Sequence, residues 1–304
     1  MSSIWNNYTR PLSKAEMLQK YINDCYTFRS ENTNIPIHTS NDQKIRIMSY
    51  NVFGWRSLHG SEMIDLSDLT SFYKMLKVIQ DCNPDVLILE EFVLDSKISS
   101  IFSKLGYNYN FMCNTMSSGI PFGNIILSKY PLKNVEVKSY QADMNNPIER
   151  RGYVKATINL PNSKSFTIFG THLDVWDDSG NLRKNEVLEL LNQMNLTDNI
   201  IVIGDFNSIR SKDYEKEVWN AIVQNTIQRT KLPPSTVALD FLDQTGFLDC
   251  FTQIGFLLPK FTVWNGTLID FIFLNKNWNL PIAGSYAYYD SASDHIPIIM
   301  DILY

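Results

Sequence analysis

From Lys44 onward the chain reads as one layered domain that mixes α and β elements, preceded by an extension over residues 1–43. Two observations predict this. Short apolar runs such as Val86-Leu87-Ile88-Leu89 and Ile200-Ile201-Val202-Ile203 have the length and composition of buried strands. Between the runs lie stretches with apolar residues at helical spacing, and strands mixed with helices bury both faces only by stacking in layers. A third observation concerns function. Polar groups stand where the apolar runs stop, at Ser49-Tyr50-Asn51, Glu90-Glu91, Thr171-His172-Leu173-Asp174, Gly204-Asp205-Phe206-Asn207 and Ser293-Asp294-His295, and Ile269-Asp270 opens a further run.

The elements follow in order. Ser13-Lys14-Ala15-Glu16 is a capping box, and Met17, Leu18, Tyr21, Ile22, Cys25 and Phe28 then share one helical face. That face must dock, on its own domain or on a partner. Residues 30–43 are polar and read as a linker. Ile45 to Tyr50 is a strand. Leu69, Phe72, Tyr73, Leu76 and Ile79 form an amphipathic helix that stops before Asn83-Pro84. Val86 to Leu89 is a buried strand, and strands follow at 107–113, 123–128, 133–140, 152–160 and 165–171. Leu182 to Met194 is a helix, 200–203 a central strand and 214–224 a helix. Residues 225–265 give no clear period, with a loop at Pro233-Pro234. Strands near 270–274, 282–289 and 296–303 complete the pattern.

Strand ends in a layered fold lie along one rim, so the polar groups that end the runs can converge. Carboxylates, amides and two imidazoles at one rim fit hydrolysis of a phosphate ester with a hard divalent cation. In Asp205-Phe206-Asn207, residues i and i+2 of an extended segment point the same way, while Phe206 turns into the core. Gly204 permits close backbone approach.

The ordered set resembles the endonuclease/exonuclease/phosphatase superfamily, also called DNase-I-like, from about Lys44 to Tyr304. The segment Gly123-Asn124-Ile125-Ile126-Leu127-Ser128-Lys129-Tyr130-Pro131 is similar to that family's "GNAILSRYP" stretch, and Arg183 to Leu191 to its helix after the Thr-His-Leu motif. The resemblance implies a four-layer α/β sandwich: two mixed β-sheets face to face, helices outside, the site at one end. It implies magnesium, with manganese as a substitute, and it implies roles residue by residue. Glu91 matches the principal metal ligand of the Leu-Gln-Glu motif, although Glu90 here replaces the Gln. Asn51 ligates the cation through its amide oxygen, or holds the Glu91 carboxylate or the phosphate through its NH2, and Asp294 supports the metal region. The Asp that some members carry two residues beyond the Asn is Phe53 here. Asp205 orients or deprotonates the attacking water, and Asn207 binds the phosphate or the metal. His295, oriented by Asp270, acts as acid/base or charge stabiliser, and His172 donates to a non-bridging phosphate oxygen. Asn124 and Arg151 are the substrate-binding candidates, Arg151 through its fork.

Composition narrows the substrate. The formal net charge is −5, whereas proteins that grip long duplexes are usually basic. A short nucleic-acid end, a flap or a small phosphodiester fits better than bulk duplex. No apolar run is long enough to span a membrane and no secretory signal is legible, so Cys25, Cys82, Cys113 and Cys250 read as reduced thiols of a cytoplasmic or nuclear protein. Glycosylation patterns at Asn7, Asn195 and Asn265 carry no weight in that setting. The leading reading is a phosphodiesterase acting on nucleic acid by direct attack of water. The alternatives are a lipid or sphingomyelin phosphodiesterase, or an inactive scaffold of the same fold. Specificity is expected in the loops at 53–66, 114–122, 141–151, 174–181 and 225–265.

Overall fold

The computed structural model describes residues 12–39, 43–60, 64–117, 120–142, 150–252 and 256–304, the side chains of 112–117 excepted. The glycosylation pattern at Asn7, the Cys113 side chain and parts of all the expected specificity loops except 174–181 lie outside the described residues.

Two six-stranded sheets face each other. In the first, β1 (Lys44–Asn51), β2 (Val86–Val93), β3 (Asn108–Ser117), β4 (Ile120–Ser128), β11 (Ile282–Ala287) and β12 (Ile298–Leu303) run in the order β11-β12-β1-β2-β4-β3. In the second, β5 (Leu132–Ser139), β6 (Gly152–Asn159), β7 (Ser165–His172), β8 (Ile200–Asp205), β9 (Leu248–Asp249) and β10 (Asp270–Leu274) run β5-β6-β7-β8-β10-β9. Each sheet is mixed, because β1 pairs parallel with β2 and β7 parallel with β8, while their other neighbours are antiparallel.

Side-chain alternation builds the layers. Ile45, Ile47, Val86, Ile88, Ile126, Val154, Ala156, Ile168, Ile201, Ile203, Ile272, Ile298 and Met300 point between the sheets into one buried cluster. Their neighbours face outward. Met48, Leu87, Leu89, Ile125 and Ile299 meet α2 (Thr70–Cys82) and α3 (Ser96–Lys104) through Phe72, Met75, Ile79, Ile98 and Phe102. Phe169, Val202, Phe271 and Phe273 meet α4 (Asn181–Leu191) and α6 (Val237–Gln244) through Val187, Leu190, Ala238, Leu239 and Leu242. The four-layer α/β sandwich is thus present. Gly170 belongs to the inner face of β7, where an added Cβ would lie 2.7 Å from Ile88 Cγ2, so its lack of a side chain lets the sheets approach.

The segment before β1 is bound to this body. Helix α1 (Lys14–Phe28) begins at the Ser13–Glu16 capping box and buries Tyr21 and Cys25 with Phe261, Tyr289 and Ile296. Tyr21 Oη donates to Ser293 O at 2.9 Å. The stretch after it, read as a linker, holds on by two anchors. Asn32 exchanges hydrogen bonds with the backbone of Tyr289, and His38 Nε2 lies 2.5 Å from Asp85 Oδ2. Helices α3 and α6, and α5 (Lys216–Thr230) beyond residue 224, were not legible as helices in the sequence. Two of them span only 9 and 8 residues, too short for a clear 3.6-residue period, and α5 buries only Ile222. Among the described residues no helix is long and apolar enough to cross a membrane.

Candidate active site

The inner-face series that make the core do not stop at the edge of the apolar cluster. Continuing by two residues, Ile45 and Ile47 lead to Ser49 and Asn51, Val86 and Ile88 to Glu90, Ile201 and Ile203 to Asp205, and Ile126 leads back to Asn124. The two parallel pairs bring the ends of β1 and β2, and of β7 and β8, to the same edge. The antiparallel strand β10 brings its beginning there, with Asp270 in register with Asp205. This explains why most site residues close an apolar run in the sequence while Asp270 opens one.

The groups converge on one atom, Asp205 Oδ2. Asn51 Nδ2 donates to it at 3.1 Å, and His172 Nε2 and His295 Nε2 lie 3.5 and 3.7 Å away. Asp205 Oδ1 accepts from the backbone N–H of Asn207 at 2.9 Å, and Asn207 Nδ2 donates to Leu173 O. His295 Nδ1 sits 2.9 and 3.2 Å from the two Asp270 oxygens. The His295 loop is held by Trp264 N–H donating to Asp294 O and by Ser293 Oγ donating to Asn51 O. The structure therefore brings together Asn51, His172, Asp205, Asn207, Asp270 and His295.

Glu91 reaches this group by a backbone irregularity. By alternation it belongs with Leu87 and Leu89 on the outer face. The β2–β4 register shifts between Leu89 and Phe92, and Glu91 takes φ 53°, a left-handed conformation uncommon for a side-chain-bearing residue. Its Oε1 then accepts from Asn51 Nδ2 at 3.3 Å and its Oε2 from Arg56 Nη2 at 3.0 Å, with the side chain one-fifth exposed. Asn207 is also left-handed, at φ 46°. Residues held in such regions concentrate at functional sites.

Glu90, which replaces the Gln of the family motif, does not face solvent. It is fully buried, its Oε1 accepts from Ser49 Oγ at 2.8 Å, and its Oε2 has no hydrogen-bond partner among the described residues. Burial, then the nearby Asp270 and Asp205, hold its carboxyl well above the usual range.

Asn51 was expected as a ligand, or as a holder of Glu91 or of the phosphate. Its oxygen accepts from Phe53 N–H at 3.0 Å, and its NH2 is turned to the Glu91 and Asp205 carboxylates. Asn124 is buried and donates to Gly152 O at 3.3 Å. Arg151, whose fork was expected at a substrate phosphate, is only 3% exposed, and its Nη1 donates to His172 Nδ1 at 3.1 Å. Sequence reasoning passed over Arg56, which pairs with Glu91 and lies over the Phe53 ring at 4.0 Å. A basic residue five positions beyond the strand-ending Asn gave no periodic signal. It also passed over Trp176, 64% exposed on the loop after His172.

The two histidines have opposite surroundings. Burial alone would lower the His295 pKa, but the charge and hydrogen bond of Asp270, with Asp205 and Asp294, push it well above the usual value. Burial, then the Arg151 guanidinium and His295, hold His172 well below it. Burial and Asp270 raise the Asp205 carboxyl to about 7 against the pull of His295. Burial raises Asp294 to about 6; His295 opposes this and Glu91 adds to it. Environments that separate titratable groups in this way assign acid and base roles.

Gly204 is required by geometry. At φ 144° an added Cβ would stand 1.9 Å from Thr171 O and 3.0 Å from Glu90 Oε1. Gly204→Ala is expected to destabilise the protein by about 3 kcal/mol, the upper part of the single-substitution range, read as a lower urea midpoint at unchanged slope.

A layered α/β body with carboxylates, amides and a paired Asp–His at one rim defines the phosphoesterase type of site. The model of the Endonuclease/Exonuclease/phosphatase family matches residues 48–295, and the chain belongs to that family. A search of curated proteins finds no significant match. Among solved structures the chain is similar to an endonuclease/exonuclease/phosphatase from Beutenbergia cavernae, with 17% identity, TM-score 0.65, and coverage of 86% of this chain and 71% of that one. It is similar to the human Nocturnin catalytic domain with bound sulfate, at 19% identity, TM-score 0.61 and coverage of 85% and 93%. It is also similar to D. rerio TDP2 complexed with a single-strand DNA product, at 17% identity, TM-score 0.57 and coverage of 86% and 100%. At these identities the likeness shows the shared fold.

Proposed function

We propose that the protein is a divalent-cation-dependent phosphodiesterase that hydrolyses nucleic-acid phosphodiesters by direct attack of water. The observation that carries this reading is the convergence of Asn51, His172 and His295 on Asp205 Oδ2, with Asp270 behind His295. The single-strand DNA product in the TDP2 relative and the sulfate in the Nocturnin relative favour a nucleic-acid phosphate as substrate.

The donor set fits a hard cation. The one-fifth exposed Glu91 and the part-buried Asp294 offer carboxylate oxygens, and Asp294 is raised in part by the Glu91 charge, a repulsion that a cation relieves. Asp205, Asp270 and His295 also bring ligand-type atoms within 4.8 Å of one another. Both Asp270 oxygens already face His295 Nδ1, however, so that trio reads as acid–base machinery rather than a cage. Glu91 and Asp294 would hold the ion, with Asn51 orienting Glu91. Bound there, magnesium supplies charge neutralisation at the phosphate.

Asp205, with a carboxyl pushed up toward neutrality, takes the proton of the attacking water. His295, kept charged by Asp270, stabilises the added negative charge or protonates the leaving oxygen. His172 and Asn207 hold non-bridging oxygens. In the described residues no cysteine stands in this group, and Cys25, Cys82 and Cys250 are buried elsewhere, so the nucleophile of the scheme is water and not a cysteine thiolate.

The test is a panel of abasic duplex, single-stranded DNA, poly(A), 5′-tyrosyl DNA and sphingomyelin with purified protein, magnesium and a chelator control. The expected result is chelator-sensitive cleavage of at least one nucleic acid, lost in Asp205→Asn. Cleavage of sphingomyelin alone, or of nothing, overturns the reading.

A stability prediction follows from the same groups. Asp205 and Asp294 have folded pKa values of about 7 and about 6, above the ordinary 3.8, and His295 is also raised. Each therefore contributes stability in full below its unfolded pKa and loses it as pH rises through the folded value. His172, held below its ordinary value, works the other way as pH rises toward that value, so without cation the Tm should fall chiefly between about pH 6 and about pH 8, and millimolar magnesium should flatten the fall. Calorimetry over pH with and without magnesium checks this.

A further inference from the structure

We infer that Arg151 is a positioning residue that holds His172 as the neutral Nε2–H tautomer, so that this imidazole serves as a fixed hydrogen-bond donor and not as a second acid–base group. The inference rests on the phosphodiesterase reading for its use, but its first test does not need that reading.

Arg151 Nη1 lies 3.1 Å from His172 Nδ1, with both side chains buried. A histidine nitrogen can donate or accept, but a guanidinium carries donors only and does not lose its charge in proteins. The direction of this hydrogen bond is therefore fixed. Nδ1 accepts, so the ring proton of neutral His172 sits on Nε2. That nitrogen points toward Asp205 Oδ2 at 3.5 Å, into the group where the phosphate is proposed to sit. Protonating Nδ1 would set an N–H against a guanidinium N–H in a buried place, and the arrangement excludes it.

The anchoring is built into the sheet. Gly152 opens β6 in register with His172, which ends β7, so Arg151 stands one residue before the His172 partner. Arg151 O accepts from Tyr140 N–H at 2.9 Å, which holds its backbone. On the other side of Asp205, His295 Nδ1 meets a carboxylate, the opposite partner. One imidazole is thereby equipped to carry a proton and the other to donate one hydrogen bond without releasing its proton. A pre-set donor of this kind needs no reorganisation when charge develops on the phosphate oxygen.

The experiment is long-range 1H–15N correlation of histidine side chains in labelled protein. The chain has four histidines, and His172→Gln assigns the resonance. The expected result is a His172 ring with unprotonated Nδ1 and protonated Nε2 at about pH 7. Arg151→Lys, which keeps a charged donor, should retain that pattern and most of the rate. Arg151→Met should give mixed tautomers or imidazolium and lose about 10²-fold in kcat, the size expected for one oxyanion donor, with a smaller change in KM. A wild-type ring protonated at Nδ1 overturns the proposal, and it does so without any variant or substrate. A Met variant that is slow but keeps the pure Nε2–H pattern also overturns it, because Arg151 would then act otherwise. An altered tautomer at full rate refutes the catalytic use. If no diester is cleaved by the wild type, the functional reading fails while the spectrum still decides the tautomer.

Discussion

Glu91→Gln is expected to lower kcat by about 10³-fold or more, with a large loss of magnesium affinity and a Tm within a few degrees of wild type. An anionic ligand to a hard cation is worth several kcal/mol of transition-state stabilisation, and each 1.36 kcal/mol is about tenfold in rate. The fold should survive because Glu91 packs against no core cluster. It stands at a bulge, one-fifth exposed, with Asn51 and Arg56 as partners. Glutamine keeps an acceptor for the Asn51 amide and tolerates the same backbone. Magnesium titration of turnover, set beside a thermal melt, separates the two effects. Wild-type turnover at unchanged magnesium dependence would remove Glu91 from the site.

His295→Ala should cost about 10²–10⁴-fold, the usual worth of a positioned acid–base group. Asp270→Asn should cost less, since the imidazole remains but loses the carboxylate at 2.9 Å that keeps it charged. The double substitution should be little worse than His295→Ala, because Asp270 acts through that ring. Asp270 is also close to Asp205 and helps raise its carboxyl. Asp270→Asn should therefore shift the Asp205 titration downward even in the His295→Ala background. Four rates on one diester, with their pH profiles, decide the matter. Fully multiplicative losses would mean independent action and would end the dyad reading.

Much of this site was visible in the chain because it is written in the same alternation as the core. Ile201, Ile203 and Asp205 form one series, as do Ile45, Ile47, Ser49 and Asn51, so the polar ends of apolar runs marked the rim directly. What alternation hides is any residue placed by breaking it. Glu91 crosses to the site only through the bulge, and parity alone would have sent it to the outer face. Arg150 and Arg151 are adjacent and alike in sequence, yet one is exposed and the other lies beside His172, a difference decided by where β6 begins. Glu90 carries no sign of its depth in the sequence, and only the packed sheets show it buried. The short helices α3 and α6 left too few turns for a period to emerge.

The strand order also sets a timetable. β1 lies between β2 and β12, and the buried Arg46–Asp301 pair joins residues 255 positions apart. A chain emerging from the ribosome makes β1 and β2 early, yet one edge of β1 stays open until β12 arrives, leaving an unpaired strand edge prone to adhesion. Such distant pairing slows folding and invites chaperone attention. It also means that the parts of the site mature in sequence. Glu91 and Asp205 are synthesised well before Asp270 and His295. A nascent chain therefore carries Glu91 and Asp205 before Asp294 and the Asp270–His295 pair exist, and the rim is complete only when the end of the chain has been added.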